Sequence, residues 1–266
     1  MPTTICPASD ERRQNPPRQA TVKDVSWIHE PFRFILALHG FTLGGAMFRE
    51  LNQFVDAPIV APDLPGHGGR DATATNWDEA VDAVVDSART FLPGSILGYS
   101  MGGRLALAAA LQQPELFPRL VLVSTSIGIE NDEERRARQR SDEDHAAAIE
   151  RAGSAEEFVL SFGNMPFLQA PRSSIDLQGI RLANRSDGIA GALRGMGQGS
   201  QPYFGNQLSG LEMPIMWVAG SRDEKYTAIA EEAAAACPNG SMVAVDAGHN
   251  VIAENPAAVA AVVMGR

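Results

Sequence analysis

Short apolar runs alternate with longer amphipathic stretches along most of the chain. Each run has the length of a buried strand and ends in a loop of glycine, proline or polar residues. The six runs are 34–38, 57–63, 95–100, 119–124, 214–220 and 241–245. Amphipathic stretches with a helical period lie between them, and the stretch 76–92 begins with Asn76 as a helix cap. This order predicts βαβ units and an α/β protein whose sheet is mostly parallel and flanked by helices.

The alternation stops after residue 126 and resumes near residue 209. The intervening segment, 127–208, has no strand-like run and contains charged helical stretches such as 133–152. We therefore expect a core formed by 21–126 and 209–266, with 127–208 as a helical cap over the sheet. Residues 1–20 are polar and proline-rich, which is typical of a flexible tail, and they lack the apolar core of a secretory signal.

Composition narrows the class of protein. The 266 residues carry a net charge of -10, with 44% hydrophobic and 20% charged residues. This acidic, globular mixture argues against a nucleic-acid-binding protein, and no apolar run is long enough to cross a bilayer. The two cysteines, Cys6 and Cys237, form no metal-type cluster, so we expect a reduced, cytoplasmic protein without a metal. We expect it to be a monomer or a weak homo-oligomer.

The stretch GYSMG at 98–102 lies between a predicted strand and a predicted helix. This is the context in which G-x-S-x-G forms a nucleophile elbow, with its serine exposed at the carboxyl edge of a parallel sheet. Gly98 and Gly102 would permit the tight turn, and Ser100 would be the reactive residue. The motif alone fits a plain strand-to-helix turn with a serine cap about equally well, so other residues must decide.

A serine hydroxyl needs a neighbouring base before it can react. The chain has five histidines, and His249 is the one that directly follows a late strand, where the base of such a triad lies. The orienting acid comes between the serine and the histidine in chain order, and Asp223 follows the strand at 214–220. Asp246 is the alternative acid, but it lies on the same segment as the histidine and is poorly placed to reach its ring. We therefore predict Ser100, Asp223 and His249 as a catalytic triad.

A negative charge that develops on a substrate oxygen needs two backbone N–H donors. Met101, the residue after the predicted nucleophile, would supply one of them at a helix N-terminus. The glycine-containing loop LHGFTLGG at 38–45 follows the first parallel strand. We predict the amide of Phe41 as the second donor of this oxyanion hole.

In this order, the segments HGF, DLPGHGG, GYSMGG, GSRDEK and AGHN resemble the α/β-hydrolase superfamily over residues 30–266. Within the superfamily, the chain is most similar to the MenH family, the 2-succinyl-6-hydroxy-2,4-cyclohexadiene-1-carboxylate synthases of menaquinone biosynthesis. The segments that carry this likeness are GYSMGGR, RRARQRSD, RLANRSDGIAGALRGMGQGSQP, SRDEKY and GHNVIAENP. The resemblance implies an α/β-hydrolase fold with a helical cap, and a lyase rather than a hydrolase.

Such a lyase removes a ring proton from a small anionic substrate and eliminates pyruvate without a cofactor. The substrate, SEPHCHC, is a cyclohexene that carries a succinyl group and an enolpyruvyl ether, and the triad serine would be the proton-abstracting base. Because the substrate has several carboxylates, guanidinium groups would bind it. The resemblance implies substrate contacts at Tyr99, Arg104, Arg138, Phe162 and Arg181. The alternative for the arginines is a solvated helix surface with acidic neighbours.

Two positions depart from the family's pattern. Phe162 stands where the family typically has a tryptophan in the cap, and Ile252 stands where it has a second histidine.

Two other functions remain open. The same triad would also serve a serine esterase or a C–C-bond hydrolase that acts on a small carboxylated substrate. A non-catalytic binding protein is the third hypothesis, which the intact triad disfavours.

Overall fold

The computed structural model describes residues 34–70 and 76–266 of the chain. Among these residues, six strands form one sheet in which every pair is parallel, in the order β2-β1-β3-β4-β5-β6. The strands are β1 Ile35–Leu38, β2 Ile59–Val60, β3 Ser95–Tyr99, β4 Leu120–Val123, β5 Ile215–Gly220 and β6 Gly240–Val245. The predicted α/β class with a parallel sheet is confirmed. The predicted tail at 1–20 lies outside the described residues.

Helices connect the strands, and some of them begin at an asparagine cap. They are α1 Trp77–Phe91, α2 Met101–Gln112, α3 Asp132–Ala152, α4 Glu156–Gly163, α5 Leu177–Leu182, α6 Ser186–Met196, α7 Glu224–Ala236, α8 Val251–Glu254 and α9 Pro256–Met264. The Asn76 side chain accepts from the Glu79 amide at the start of α1. Asn255 caps α9 in the same way, with Pro256 at the first helical position. In the described part of the chain, no helix is long and apolar enough to span a membrane.

Both faces of the sheet are buried, which explains why its strands are apolar throughout rather than alternating with polar residues. Leu36 and Leu122 lie on one face, in a cluster with residues of α1, α2 and α7. Ile35 and Val121 lie on the other face, in a cluster with residues of α8 and α9. The sheet is therefore the middle layer of three.

The second strand is much shorter than the sequence predicts. The apolar run covers 57–63, but only Ile59 and Val60 pair with β1. Pro58 and Pro62 flank the pair, and proline has no amide with which to extend a ladder. Since β2 is the edge strand, the rest of the apolar run can leave the sheet without breaking the core.

The strand order places a crevice at the carboxyl edge. The chain runs from β1 outward to β2 and then back to β3 on the other side of β1, so the connections diverge between β1 and β3. Open parallel sheets bind ligands at this switch point. Between Val123 and Ile215, a span that the structure describes in full, the chain forms helices α3 to α6 and no strand. We call these helices and their loops the cap; its division at 127–208 into a separate domain remains a prediction.

Candidate active site

Ser100 lies in a strained turn between β3 and α2. Its φ is +50° and its ψ is -109°, a conformation that residues other than glycine rarely adopt. A Cβ added at Gly98 would lie 2.5 Å from Gly103 Cα, and one added at Gly102 would lie 2.2 Å from the Leu38 carbonyl oxygen. The two glycines are thus required by close backbone contacts. The turn is the strand–elbow–helix arrangement that the sequence predicts, and it presents the serine at the carboxyl edge of the sheet.

Three side chains from separate loops meet at this edge in a hydrogen-bonded relay. His249 Nε2 lies 3.3 Å from Ser100 Oγ, and His249 Nδ1 lies 2.7 Å from Asp223 Oδ2. A carboxylate can accept hydrogen bonds but cannot donate them. The proton of the imidazole is therefore on Nδ1, and Nε2 is free to accept the serine proton. The other oxygen of Asp223 accepts from the Tyr226 amide in the first turn of α7. The arrangement can move a proton between the serine and a bound molecule.

The imidazole of His249 is held by aromatic rings as well as by the relay. Its side chain is 2% exposed. The ring centroid lies 4.4 Å from that of Tyr226 and 5.6 Å from that of Phe167, both in edge-to-face geometry. Tyr99 packs at 5.8 Å. Such packing restricts rotation of the ring, so that its two nitrogens stay directed at their partners.

The alternative acid, Asp246, lies elsewhere. Its side chain is exposed and forms ion pairs with Arg172, at 2.9 Å, and with Arg222. Those arginines hold the pKa of the Asp246 carboxyl below its usual range. The structure therefore brings Asp223, and not Asp246, to the histidine.

A cavity of about 570 Å³ opens above Ser100, between the sheet edge and the cap. Ser100, Asp223 and His249 line it, and helices α3, α4 and α6 supply much of its wall. Its aromatic wall consists of Phe41, Phe158, Phe162, Phe167 and Tyr226. Its basic side chains are Arg104, Arg138, His145 and Lys225, and they outnumber its two acidic side chains, Asp142 and Asp223. The cavity therefore suits a small molecule with both an apolar body and negative charges.

Arg104 lies one turn beyond the serine on α2 and is 5% exposed. Its guanidinium donates to the carbonyls of Met196, at 2.8 Å, and Gly197, at 3.3 Å, at the end of α6. Burial lowers its pKa to about 10, which still leaves it charged at neutral pH. Its guanidinium also donates to Gln201 Oε1 at 3.4 Å, and all three of these acceptors are uncharged, so they do not neutralise the charge beside the cavity.

Arg138, on α3, borders the same cavity but is already paired. Its Nε donates to Asp142 at 2.8 Å, and its Nη1 donates to Gln198 at 2.8 Å. The guanidinium side chain is 41% exposed. A ligand at this point would therefore share the arginine with Asp142.

The remaining predicted contacts divide between the cavity and the interior. Phe162 lines the cavity, with its ring 5.3 Å from that of Phe41. Tyr99 and Arg181 lie outside the lining, at 2% and 3% exposure. Tyr99 is covered because it belongs to the central strand β3, and Arg181 is covered because α5 packs on α4. As substrate contacts, these two residues stay predictions that the cavity does not support.

The predicted oxyanion donors flank the switch point. The Met101 amide is the first of α2, where a helix leaves its N–H groups without intrahelical acceptors. On the loop after β1, the Thr42 amide already donates to His67 Nε2 at 3.1 Å and is not available to a ligand. The Phe41 amide before it stays the predicted second donor. Both donors lie just beyond the carboxyl ends of the neighbouring strands β1 and β3.

Sequence reasoning missed several residues of the cavity. Lys225 and Tyr226 lie two and three residues after Asp223, in the first turn of α7, and both line the cavity. The run SRDEKY at the end of a predicted strand was the signal that could have indicated them. Phe158 and His145, by contrast, reach the cavity from the cap, where no local pattern marks an inward side chain.

No group of three or more histidine, cysteine, aspartate or glutamate residues is positioned to hold a metal ion within 34–70 and 76–266.

A model of the alpha/beta hydrolase family matches residues 35–262, which include all three residues of the relay. The chain belongs to the α/β-hydrolase family, and it is an enzyme.

Two relatives and one solved structure carry the comparison further. A protein of Bacillus subtilis (strain 168), provisionally named a 2-succinyl-6-hydroxy-2,4-cyclohexadiene-1-carboxylate synthase, is 32% identical over 84% of this chain and 85% of its own. The synthase of that name from Escherichia coli O1:K1 / APEC is 31% identical over 86% of this chain and 91% of its own. The structure of MenH from S. aureus superposes with a TM-score of 0.80 at 27% identity, covering 88% of this chain and 92% of that one. The predicted similarity to MenH proteins is confirmed.

Proposed function

We propose that the protein is a lyase that eliminates pyruvate from SEPHCHC and forms 2-succinyl-6-hydroxy-2,4-cyclohexadiene-1-carboxylate, a step of menaquinone biosynthesis. The observation that carries the proposal is a complete proton relay that opens into a cavity with a buried, charged arginine. The similarity to named synthases over more than four-fifths of the chain supports this substrate. The reaction is redox-neutral, and the proposal includes no cofactor.

The first step is removal of the ring proton beside the succinyl carbonyl. Ser100 passes its hydroxyl proton to His249 Nε2 and takes the substrate proton on Oγ. The electron pair of the broken C–H bond moves towards the carbonyl, whose oxygen becomes negative. The amides of Phe41 and Met101 donate to this oxygen and stabilise the enolate.

Elimination completes the reaction. The electron pair returns through the ring, a second ring double bond forms, and the C–O bond to the enolpyruvyl group breaks. The proton held by His249 passes to the leaving group, which becomes pyruvate, and the relay returns to its resting state. Asp223 stabilises the imidazolium while His249 carries both protons.

The aromatic wall favours one alternative function. Four phenylalanines line the cavity, and an ester with an apolar acyl group would fit against them. In that case Ser100 would attack the carbonyl carbon and form an acyl-enzyme that water hydrolyses. The relay serves either reaction, so the substrate must separate them.

Incubation with SEPHCHC tests the proposal directly. We expect the purified protein to release pyruvate rapidly, measured by coupling to lactate dehydrogenase, and to turn over a panel of p-nitrophenyl esters slowly. The reason is that the charged arginine stabilises a carboxylated substrate, which the neutral esters do not supply. Efficient ester hydrolysis without pyruvate release would establish the esterase instead.

The variant Arg104→Lys tests how the substrate is bound. We expect kcat/KM for pyruvate release to fall roughly tenfold to a hundredfold, since a hydrogen bond to a charged group contributes about 1.5–3 kcal/mol. Arg194→Lys is the matched control, because Arg194 pairs with Glu143 and Glu150 on the outer side of the cap. Equal losses in the two variants would contradict a role for Arg104 in binding. The melting temperature shows whether loss of the bonds to the cap carbonyls unfolds the protein.

A further inference from the structure

Thr42 directly follows Phe41 on the loop after β1, and its backbone conformation is unusual. Its φ is +63°, in the left-handed region, although its side chain is β-branched and fully buried. Such a conformation is costly for threonine and persists only where its surroundings fix it. Strained residues of this kind cluster at active sites, and this one directly follows the proposed oxyanion donor.

Two side chains hold Thr42, one on each side of its backbone. Its amide donates to His67 Nε2 at 3.1 Å, and its carbonyl accepts from Asn184 Nδ2 at 2.8 Å. Complete burial lowers the pKa of His67 to about 3. The ring therefore stays neutral across the ordinary pH range, with Nδ1 donating to the Pro65 carbonyl at 3.0 Å and Nε2 available as an acceptor.

Asn184 reaches the loop from the cap, just after α5. The same Nδ2 also donates to the Arg181 carbonyl at 2.9 Å. Its Oδ1 accepts from the Gly68 amide at 2.9 Å, on the loop that follows β2. One carboxamide thus links the cap to the loops that follow β1 and β2. Since His67 lies on one of those loops, Asn184 is the contact to Thr42 that depends on the cap.

We propose that Asn184 is a positioning residue for the oxyanion site: it holds Thr42 in its left-handed conformation and thereby fixes the direction of the Phe41 amide. The cap then does more than enclose the substrate, because it also sets the geometry of a group that stabilises the enolate. This inference rests on the proposed function in one respect, namely that the Phe41 amide receives the developing negative charge.

Asn184→Ala is the first test. A displaced oxyanion donor weakens the transition state more than the ground state, so we expect kcat for pyruvate release to fall roughly tenfold to a hundredfold while KM is unchanged. Gln169→Ala is the matched control, because this cap carboxamide donates to the Gly163 carbonyl within the cap itself. We expect it to retain the wild-type kcat. A rise in KM alone, or the same fall in both variants, would overturn the proposal.

Asn184→Asp shows which hydrogen bond matters. It keeps an acceptor for the Gly68 amide but loses the donor to the Thr42 carbonyl. We expect kcat to fall at least as far as in Asn184→Ala. Wild-type kcat in Asn184→Asp would show that the Thr42 contact is dispensable and would refute the inference.

Amide hydrogen exchange tests the same contact without any substrate. We expect the Thr42 amide to exchange faster in Asn184→Ala than in the wild type and in Gln169→Ala, because its bond to His67 would open more often. Unchanged exchange at Thr42 would reject the proposal whatever the enzyme's substrate. Faster exchange in a protein that releases no pyruvate would retain the contact and reject the proposed function alone.

Discussion

Ser100→Ala is expected to lower kcat for pyruvate release by roughly 10⁴-fold, the upper end of the range for a general base. The variant retains the cavity and the basic side chains, so KM should change little. His249→Ala should lose a similar amount, because Ser100 Oγ then has no acceptor at 3.3 Å for its proton. The double variant should be no slower than either single one, since the two residues act as one unit.

Steady-state pyruvate release from the three variants checks this expectation. Ser87→Ala is a suitable control, because Ser87 Oγ donates within α1 to the Ala83 carbonyl. We expect wild-type rates from it. Multiplicative losses in the double variant would show that serine and histidine act separately, and a near-normal rate in Ser100→Ala would exclude it as the base.

Most of the fold was predictable because burial on both faces makes every strand a continuous apolar run. The runs at 95–100 and 214–220 correspond closely to β3 and β5. The run at 57–63 does not, because apolar character measures burial, whereas a strand needs amide donors that Pro58 and Pro62 lack.

The triad was predictable for a topological reason. Parallel strands place their carboxyl ends at one edge, so residues that directly follow different strands can meet although they are far apart in sequence. Ser100, Asp223 and His249 each follow a strand, and the structure brings them together. Their catalytic roles stay predictions.

The cap was less predictable because its contacts depend on how the helices pack against the core. Arg104 does line the cavity, but its bonds to the carbonyls at the end of α6 have no counterpart in the local sequence. The family resemblance implies both Arg138 and Arg181 as substrate contacts, yet of the two only Arg138 borders the cavity. The contact between Asn184 and Thr42 joins residues 142 positions apart, and no periodicity or motif reports it.

The second large effect is expected at Asp223. Asp223→Asn should lower kcat by about 10³–10⁴-fold with the fold intact, as loss of the orienting carboxylate does in other triads. An asparagine can direct its NH₂ group at His249 Nδ1 and favour the tautomer whose proton is on Nε2. That nitrogen could then no longer accept the proton of Ser100. The imidazolium formed during turnover would also lose its counter-charge at 2.7 Å.

Asp246→Asn is the matched comparison. Asp246 lies three residues before His249 in the chain, whereas Asp223 contacts the His249 ring in space. Asp246 pairs with Arg172 and Arg222 at the surface, and exposed pairs of this kind contribute little, so we expect kcat within about twofold of the wild type. The ¹⁵N chemical shifts of the His249 ring would report the tautomer in each variant. Asp223→Asn should move the proton from Nδ1, and Asp246→Asn should leave it there. If instead Asp246→Asn were the slow variant, the acid of the triad would be Asp246, and the 2.7 Å contact of Asp223 would be structural rather than catalytic.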